Sequence, residues 1–157
     1  NGVERFCSDQ MNYSIMNRFV EREILRVTER YGIGVTVWSP LNWGWLTGKY
    51  RKGSKPPEDS RAARKYRIRM DSPKAEENLE IVEKLIPLAE ERDMSLVTFS
   101  LAWLLRNPRV TSIICGPRTL DQLPENLAAD EAELDEAAMK AVDEIVPPKA
   151  GDSGEWW

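Results

Sequence analysis

Histidine is absent from all 157 residues. Its absence removes the side chain most often used as a general base near neutral pH, and with it the commonest zinc ligand. Cysteine is nearly as scarce: Cys7 and Cys115 stand far apart, so a structural zinc site is not expected. Both lie in apolar, strand-like runs, where a free thiol serves as a small hydrophobe in a reducing compartment. No apolar run is long enough to span a bilayer, and no basic-then-apolar leader opens the chain, so a cytoplasmic protein without membrane attachment is expected. Any catalysis therefore falls to carboxylate, lysine, tyrosine or an organic cofactor.

A clustered basic face is missing too. The net charge is -4 with both signs scattered along the chain, which argues against nucleic acid as a partner. The densest basic stretch, "RAARKYRIR" at 61–69, reads as a solvated loop or, at Arg61 at least, as part of a phosphate patch. Hydrophobic residues make up 41% of the chain, enough for one domain with a real core and too few residues for two.

The elements alternate. "VERFCS" (3–8) reads as a strand followed by the polar loop "DQMNYSIMNR". "VEREILRVTERY" (20–31) places Val20, Ile24, Val27 and Tyr31 on one helical stripe, ended by Gly32 and Gly34. "IGVTVWSPL" is a second strand stopped by Pro40. A long Gly, Pro, Ser and charge-rich loop covers 42–73. Helices follow over 75–93, where Leu79, Val82, Leu85 and Ala89 form the buried side and Pro87 predicts a kink, and over 95–108 from an N-cap at Ser95. "RVTSIIC" (109–115) predicts a third strand buried on both faces, with helices from Thr119 and over 135–146 after an Asp135 cap. Strand and helix in alternation predict an α/β fold with parallel pairing. Three parallel strands alone would leave two open edges, so part of the sheet's surroundings is expected elsewhere.

Ligands of such folds bind beyond the carboxyl ends of the strands. There the sequence sets Gln10, then "WSPLNWGWLTGKY", then "GPRTLDQLPENL". Gly116, a helix opening at Thr119 and the fork of Arg118 suit a phosphate, or else Thr119 and Gln122 form a capping box beside a solvated arginine. Trp38 can fill the core or stack on a planar heterocycle. Ser39, Gly44 and Lys49 can face a pyrophosphate, although "LTGKY" falls short of P-loop spacing.

Together, "DQMNYSIMNR", "GIGVTVWSPLNWGWLTGKY" and "SLVTFSLAWLLRNPRVTSIICGPRTLDQLPENL" resemble the aldo-keto reductases in order, spacing and context, over 3–146. The resemblance is nearest to the branch of bacterial general reductases and potassium-channel β subunits, whose loops carry an "SPL…G…GKY" pattern. It implies a (β/α)8 barrel that binds NADPH at its carboxyl-terminal rim. The chain, 1–157, would supply the last three strands and their helices as one partial domain, with 42–73 as a cofactor-side loop and 147–157 as a tail.

Residue by residue, the resemblance implies that Gln10 holds the nicotinamide carboxamide and that Trp38 lies against the nicotinamide face. Ser39, Pro40, Leu41 and Gly44 would contact the pyrophosphate, and Lys49 and Arg61 would close the loop over it. Gly116, Arg118, Gln122, Glu125 and Asn126 would form the adenosine end, with Arg118 on the 2'-phosphate. Trp43, Trp45, Trp156 and Trp157 are candidates for the substrate rim. Pro124 departs from the family pattern and predicts a distorted helix opening. The family's Asp, Tyr, Lys and His tetrad has no counterpart here, so the chain alone is expected to be inactive.

Two functions follow from this resemblance. One is the carboxyl-terminal part of an NADPH-dependent reductase of small carbonyl compounds, its amino-terminal part being in the same polypeptide or in a separate chain. The other is a non-catalytic nucleotide-binding or partner-binding fragment that dimerises through its open edges.

Overall fold

β-branched residues with period-two alternation form the central strand, β2 (Gly34–Trp38), in which Val35 and Val37 are fully buried. It is the middle of a three-stranded parallel sheet in the order β1, β2, β3, seen in a computed structural model that describes residues 2, 4–64 and 68–148. Tyr66, Trp156 and Trp157 lie outside the described residues, as does all of the 147–157 tail beyond Pro148. The fold is α/β, as alternation predicted.

β1 is Ser8–Asn12, not the "VERFCS" stretch. The alternation around Phe6 misleads because that side chain is 88% exposed. What fixes the strand is pairing: the Gly34 N–H donates to the Cys7 carbonyl at 2.9 Å, and the register runs from Ser8 opposite Gly34 to Asn12 opposite Trp38. Gln10 therefore sits inside the strand, opposite Thr36, rather than after it. Cys7 is exposed and not a core hydrophobe, whereas burial pushes the Cys115 thiol up from its ordinary value.

The 20–31 region divides into a short 3-10 turn, Phe19–Glu21, and α1 (Ile24–Tyr31). Leu25 and Thr28 face inward, while Val27 and Tyr31 are exposed, so the helix is rotated from the expected stripe. Gly32 ends it in the left-handed region at φ 66°, as the C-cap reading required.

The long 42–73 segment is not bare loop. It opens with 3-10 structure over Asn42–Thr47 and builds a small second core from Trp45, Tyr50, Ala62 and Ile68 against Ala75 and Leu79. Trp45 is buried there, ring against Tyr50 at 5.1 Å, which removes it from the substrate rim. α2 (Pro73–Glu90) begins at a Ser72 cap with proline in its first turn, buries the expected Leu79, Val82, Leu85 and Ala89, and continues through Pro87.

α3 (Leu96–Leu105) starts where Ser95 caps Thr98, and all its residues but the last are buried, as an all-round apolar helix must be. β3 is only Ser112–Ile113, though Thr111 and Ile114 also donate to β2 carbonyls. It is half exposed instead of buried on both faces, because it is the outer edge of the sheet. α4 (Gln122–Glu131) begins three residues later than Thr119. Pro124 then falls in its first turn, where an N–H has no intrahelical partner, so proline is accommodated rather than disruptive. α5 (Glu136–Ile145) starts at Asp135, whose carboxylate accepts from the Ala138 N–H at 2.7 Å and from Arg92 at 2.9 Å.

Met11, Val35 and Val37 pack with α2, α3 and α5 residues into the main core. By alternation, Gln10, Asn12, Thr36, Trp38 and Ser112 point to the opposite face of the sheet. One face is thus apolar and covered by helices, and the other is polar and aromatic.

Candidate functional site

Where β2 ends, the chain turns sharply. Ser39, Asn42 and Trp43 all adopt positive φ, at 56°, 44° and 60°, a conformation costing side-chain-bearing residues roughly 1–3 kcal/mol each. Local hydrogen bonds hold the turn: Asn42 N–H donates to Ser39 O at 2.9 Å, Gly44 N–H to Leu41 O at 2.9 Å, and Asn42 Nδ2 to Met16 Sδ at 3.2 Å. Such strain persists only where surrounding contacts over-determine the backbone. The gain is placement, since Trp43 meets Trp38 edge-on at 6.3 Å and the Arg61 guanidinium lies 5.3 Å from the Trp43 ring.

Gly44 is required by its φ of 100°, which side-chain-bearing residues rarely adopt; the place its Cβ would take lies 3.0 Å from Lys49 Nζ, the far end of a flexible side chain. The lysine side chain folds back over the loop, its ammonium 5.2 Å from the Tyr50 ring. Loss of surrounding water lowers its pKa below the ordinary lysine value, and the nearby Arg118 and Arg61 lower it further, against the pull of Asp59. Arg61 and Arg118 are thus near enough for their charges to act on Lys49.

Arg118 reaches this group from the other side, between β3 and α4. Its Nη2 pairs with the Asp59 carboxylate and its Nη1 donates to the Asp59 carbonyl at 3.3 Å. The Arg118 guanidinium holds the Asp59 carboxyl below the usual carboxylate range. The main chain of Arg118 donates to Gln122 Oε1 at 2.8 Å, so Gln122 tightens the turn ahead of α4 by a contact other than the expected capping box. Thr98 Oγ1 donates to the Glu125 carbonyl at 3.0 Å and fixes α4 against α3.

The structure thus links Trp38, Ser39, Gly44, Lys49, Arg61, Arg118 and Gln122 through direct contacts or shared electrostatics. Gln10, opposite Thr36, shares a sheet face with Trp38. Pro40 is buried, and Leu41 packs against the main core rather than lining an open surface. Gly116 faces open space, and Glu125 and Asn126 are half-buried at the start of α4.

Two residues that the sequence reading passed over belong here. Asp59, the counterion of Arg118, lies far from it in the chain. Asn12 is buried beside Trp38 in the ladder with Oδ1 lacking a hydrogen-bond partner. Its signal was a polar residue at the strand's carboxyl end. Among the described residues no group of His, Cys, Asp and Glu could hold a metal ion, and no helix is long and apolar enough to cross a membrane.

Comparison with known proteins adds a separate line of observation. The sequence model of the Aldo/keto reductase family matches residues 2–147. A probable voltage-gated potassium channel subunit beta of Oryza sativa subsp. japonica is 38% identical over 122 residues, 77% of this chain and 37% of that protein. The uncharacterized oxidoreductase YrpG of Bacillus subtilis is 32% identical over 151 residues, covering 94% and 43%. An L-glyceraldehyde 3-phosphate reductase of Escherichia coli O157:H7 is 38% identical over 124 residues, covering 76% and 35%. The matched part of the chain spans 35–43% of the length of these relatives.

Proposed function

Because the chain belongs to the aldo/keto reductase family, we propose that it is the NADPH-binding, carboxyl-terminal part of a (β/α)8-barrel reductase of small aldehydes or ketones. The observation that carries this reading is the placement of three cations around the strained loop after β2: Lys49 folded against Gly44, Arg61 over the Trp43 ring, and Arg118 on Asp59, two residues before Arg61. Three mutually repelling cations with one acidic neighbour form a donor set suited to a ligand with several phosphates. The Gly44 cradle, which a Cβ would fill, suits close approach of such a group.

When bound, NADPH supplies the hydride for carbonyl reduction. Arg118 grips the 2'-phosphate with its fork, and Lys49 and Arg61 neutralise the pyrophosphate. Glu125 and Asn126 flank the adenine at the α4 opening. Trp38 and Gln10, on the uncovered sheet face, orient the nicotinamide ring and its carboxamide. Trp43 forms part of the substrate rim.

The described tyrosines do not supply the proton. Tyr13 and Tyr50 are buried, and burial together with the Glu21 carboxylate pushes the Tyr13 hydroxyl far above its ordinary value. Tyr31 stands on α1, away from the loop. On this reading the chain alone, with none of its described tyrosines placed to donate, binds cofactor without turnover, and the rest of the barrel, in the same polypeptide or in another chain, supplies the acid. The open edges at β1 and β3 are where that part packs, and a second copy can take its place. A non-catalytic nucleotide-binding role is the second reading, favoured by the similarity to channel β subunits.

The test is Arg118→Ala, with NADPH and NADH affinities measured by titration calorimetry. Loss of a charge-assisted grip on the extra phosphate weakens NADPH by about 1.5–3 kcal/mol, roughly 10- to 150-fold, and leaves NADH nearly unchanged. Equal losses for the two cofactors overturn the assignment.

A further inference from the structure

The Arg118 fork already has an occupant. Nη2 pairs with the Asp59 carboxylate and Nη1 with the Asp59 main-chain carbonyl, so one acidic residue presents two acceptors to one guanidinium. A phosphate ester offers the same two-acceptor edge with more charge. Building on the NADPH reading above, we infer that Asp59 is an internal stand-in for the ligand's phosphate, and that phosphorylated nucleotides bind by exchanging with its carboxylate.

The surroundings allow such an exchange without unravelling the loop. Ser60 and Ala62, immediately after Asp59, are buried. The Ala62 N–H donates to the Tyr50 hydroxyl at 3.4 Å, and the Ala63 N–H to Ser60 Oγ at 3.2 Å. These contacts anchor the main chain, while the Asp59 side chain stays largely exposed and its pairing with Arg118 is open to solvent. Once the carboxylate leaves, Lys49 loses the one neighbour that raises its pKa, and the cluster of Lys49, Arg61 and Arg118 is left without its acidic partner. The departure of Asp59 thus sharpens the attraction for an incoming anion. Asp59 stabilises the empty site at the expense of affinity, and it sets a threshold that only a ligand bearing the extra phosphate crosses efficiently.

The probe is adenosine 2',5'-bisphosphate, with 5'-AMP as the reference that lacks the 2'-phosphate. Calorimetry on the full chain compares wild type, Asp59→Asn, Arg118→Ala and the double variant. Asp59→Asn is expected to tighten the bisphosphate by about 3- to 10-fold, by removing an exposed competing ion pair and a like-charge neighbour. Binding of 5'-AMP should be unchanged, and the gain should vanish in the Arg118→Ala background. Weaker bisphosphate binding by Asp59→Asn overturns the inference and makes Asp59 a clasp that acts on bound ligand. Unchanged binding overturns it as well. If Arg118→Ala weakens the bisphosphate but Asp59→Asn brings no gain, the stand-in role alone fails. If Arg118→Ala has no effect, or no variant binds the probe, the NADPH reading fails with it.

Discussion

The guanidinium of Arg61 lies 5.3 Å from the centre of the Trp43 ring, although Trp43 must adopt a φ of 60° to be there. A bulky residue holds that backbone only where other contacts outweigh the strain, and this pairing is one of them. An exposed cation–π contact contributes about 0.5–1 kcal/mol. Trp43→Leu should therefore raise the opening of the 52–64 segment about 2- to 5-fold, read as faster tryptic cleavage after Arg61 or Arg64. NADPH should slow cleavage in both proteins, and an unchanged rate with the nucleotide would exclude loop closure over it.

Much of the helical architecture was legible because local signals agreed. Ser95 and Asp135 are caps in sequence and in structure, and α3 is apolar all round and buried all round. The elements that were misread are those whose limits are set by distant partners. β1 takes its register from β2, and Phe6, which looked like a strand residue, lies outside the pairing. The face of α1 could be divided two ways, and packing chose Leu25 and Thr28 over Val27 and Tyr31. At the site, Lys49, Arg61 and Arg118 were all named from sequence, and the structure sets them against Gly44, Trp43 and Asp59 respectively. Asp59 was invisible because nothing local in "PPEDSR" points to an arginine beyond β3.

Lys49 leads to a pH dependence. Loss of water, and then Arg118 and Arg61, lower its pKa below the ordinary lysine value. In the window between that lowered value and the unfolded one, the folded chain holds fewer protons, so stability should rise with pH there. Ligand binding should move the opposite way, since a phosphate restores the proton that the empty site disfavours. Affinity for adenosine 2',5'-bisphosphate should fall as pH rises through the lowered lysine pKa. Calorimetry from about pH 7.5 to 10 should show this slope in wild type and a flatter one in Lys49→Met; identical slopes would take the lysine away from the phosphate.

Arg18 links the chain after β1 to the chain after α5. It donates to both Glu21 oxygens at 2.8 and 3.0 Å, to Asp143 at 2.6 Å and to the Val146 carbonyl at 2.7 Å, and it lies 5.1 Å from the Trp103 ring. Glu21 also accepts from the Tyr13 hydroxyl at 2.7 Å. Arg18→Met should cost about 3 kcal/mol in urea unfolding, because it strands a half-buried carboxylate and a carbonyl. Arg18→Lys should recover less than half of that loss, since an ammonium cannot serve the same fork. Full recovery by lysine would reduce the network to a simple charge pair.

Among the described residues, exposed large apolar side chains include Phe6 ahead of β1, Val27 and Tyr31 on α1, Leu105 at the end of α3, and, beyond β3, Ile114, Leu120, Leu123 and Leu127. Leu123 and Leu127 stand one turn apart on the outside of α4, and Leu120, in the turn just before the helix, is 85% exposed, so the three form an apolar stripe at the α4 opening. A solvated leucine stripe adds nothing to the isolated fold, so Leu120→Ser, Leu123→Ser and Leu127→Ser combined should change unfolding stability by less than about 1 kcal/mol. If the stripe is where the rest of the barrel or a second copy packs, the wild-type chain should self-associate as its concentration rises, and the triple variant should stay monomeric in sedimentation equilibrium. Equal association by the two proteins would move the contact off this stripe, and Val27→Ser with Tyr31→Ser is the corresponding test for the exposed face of α1.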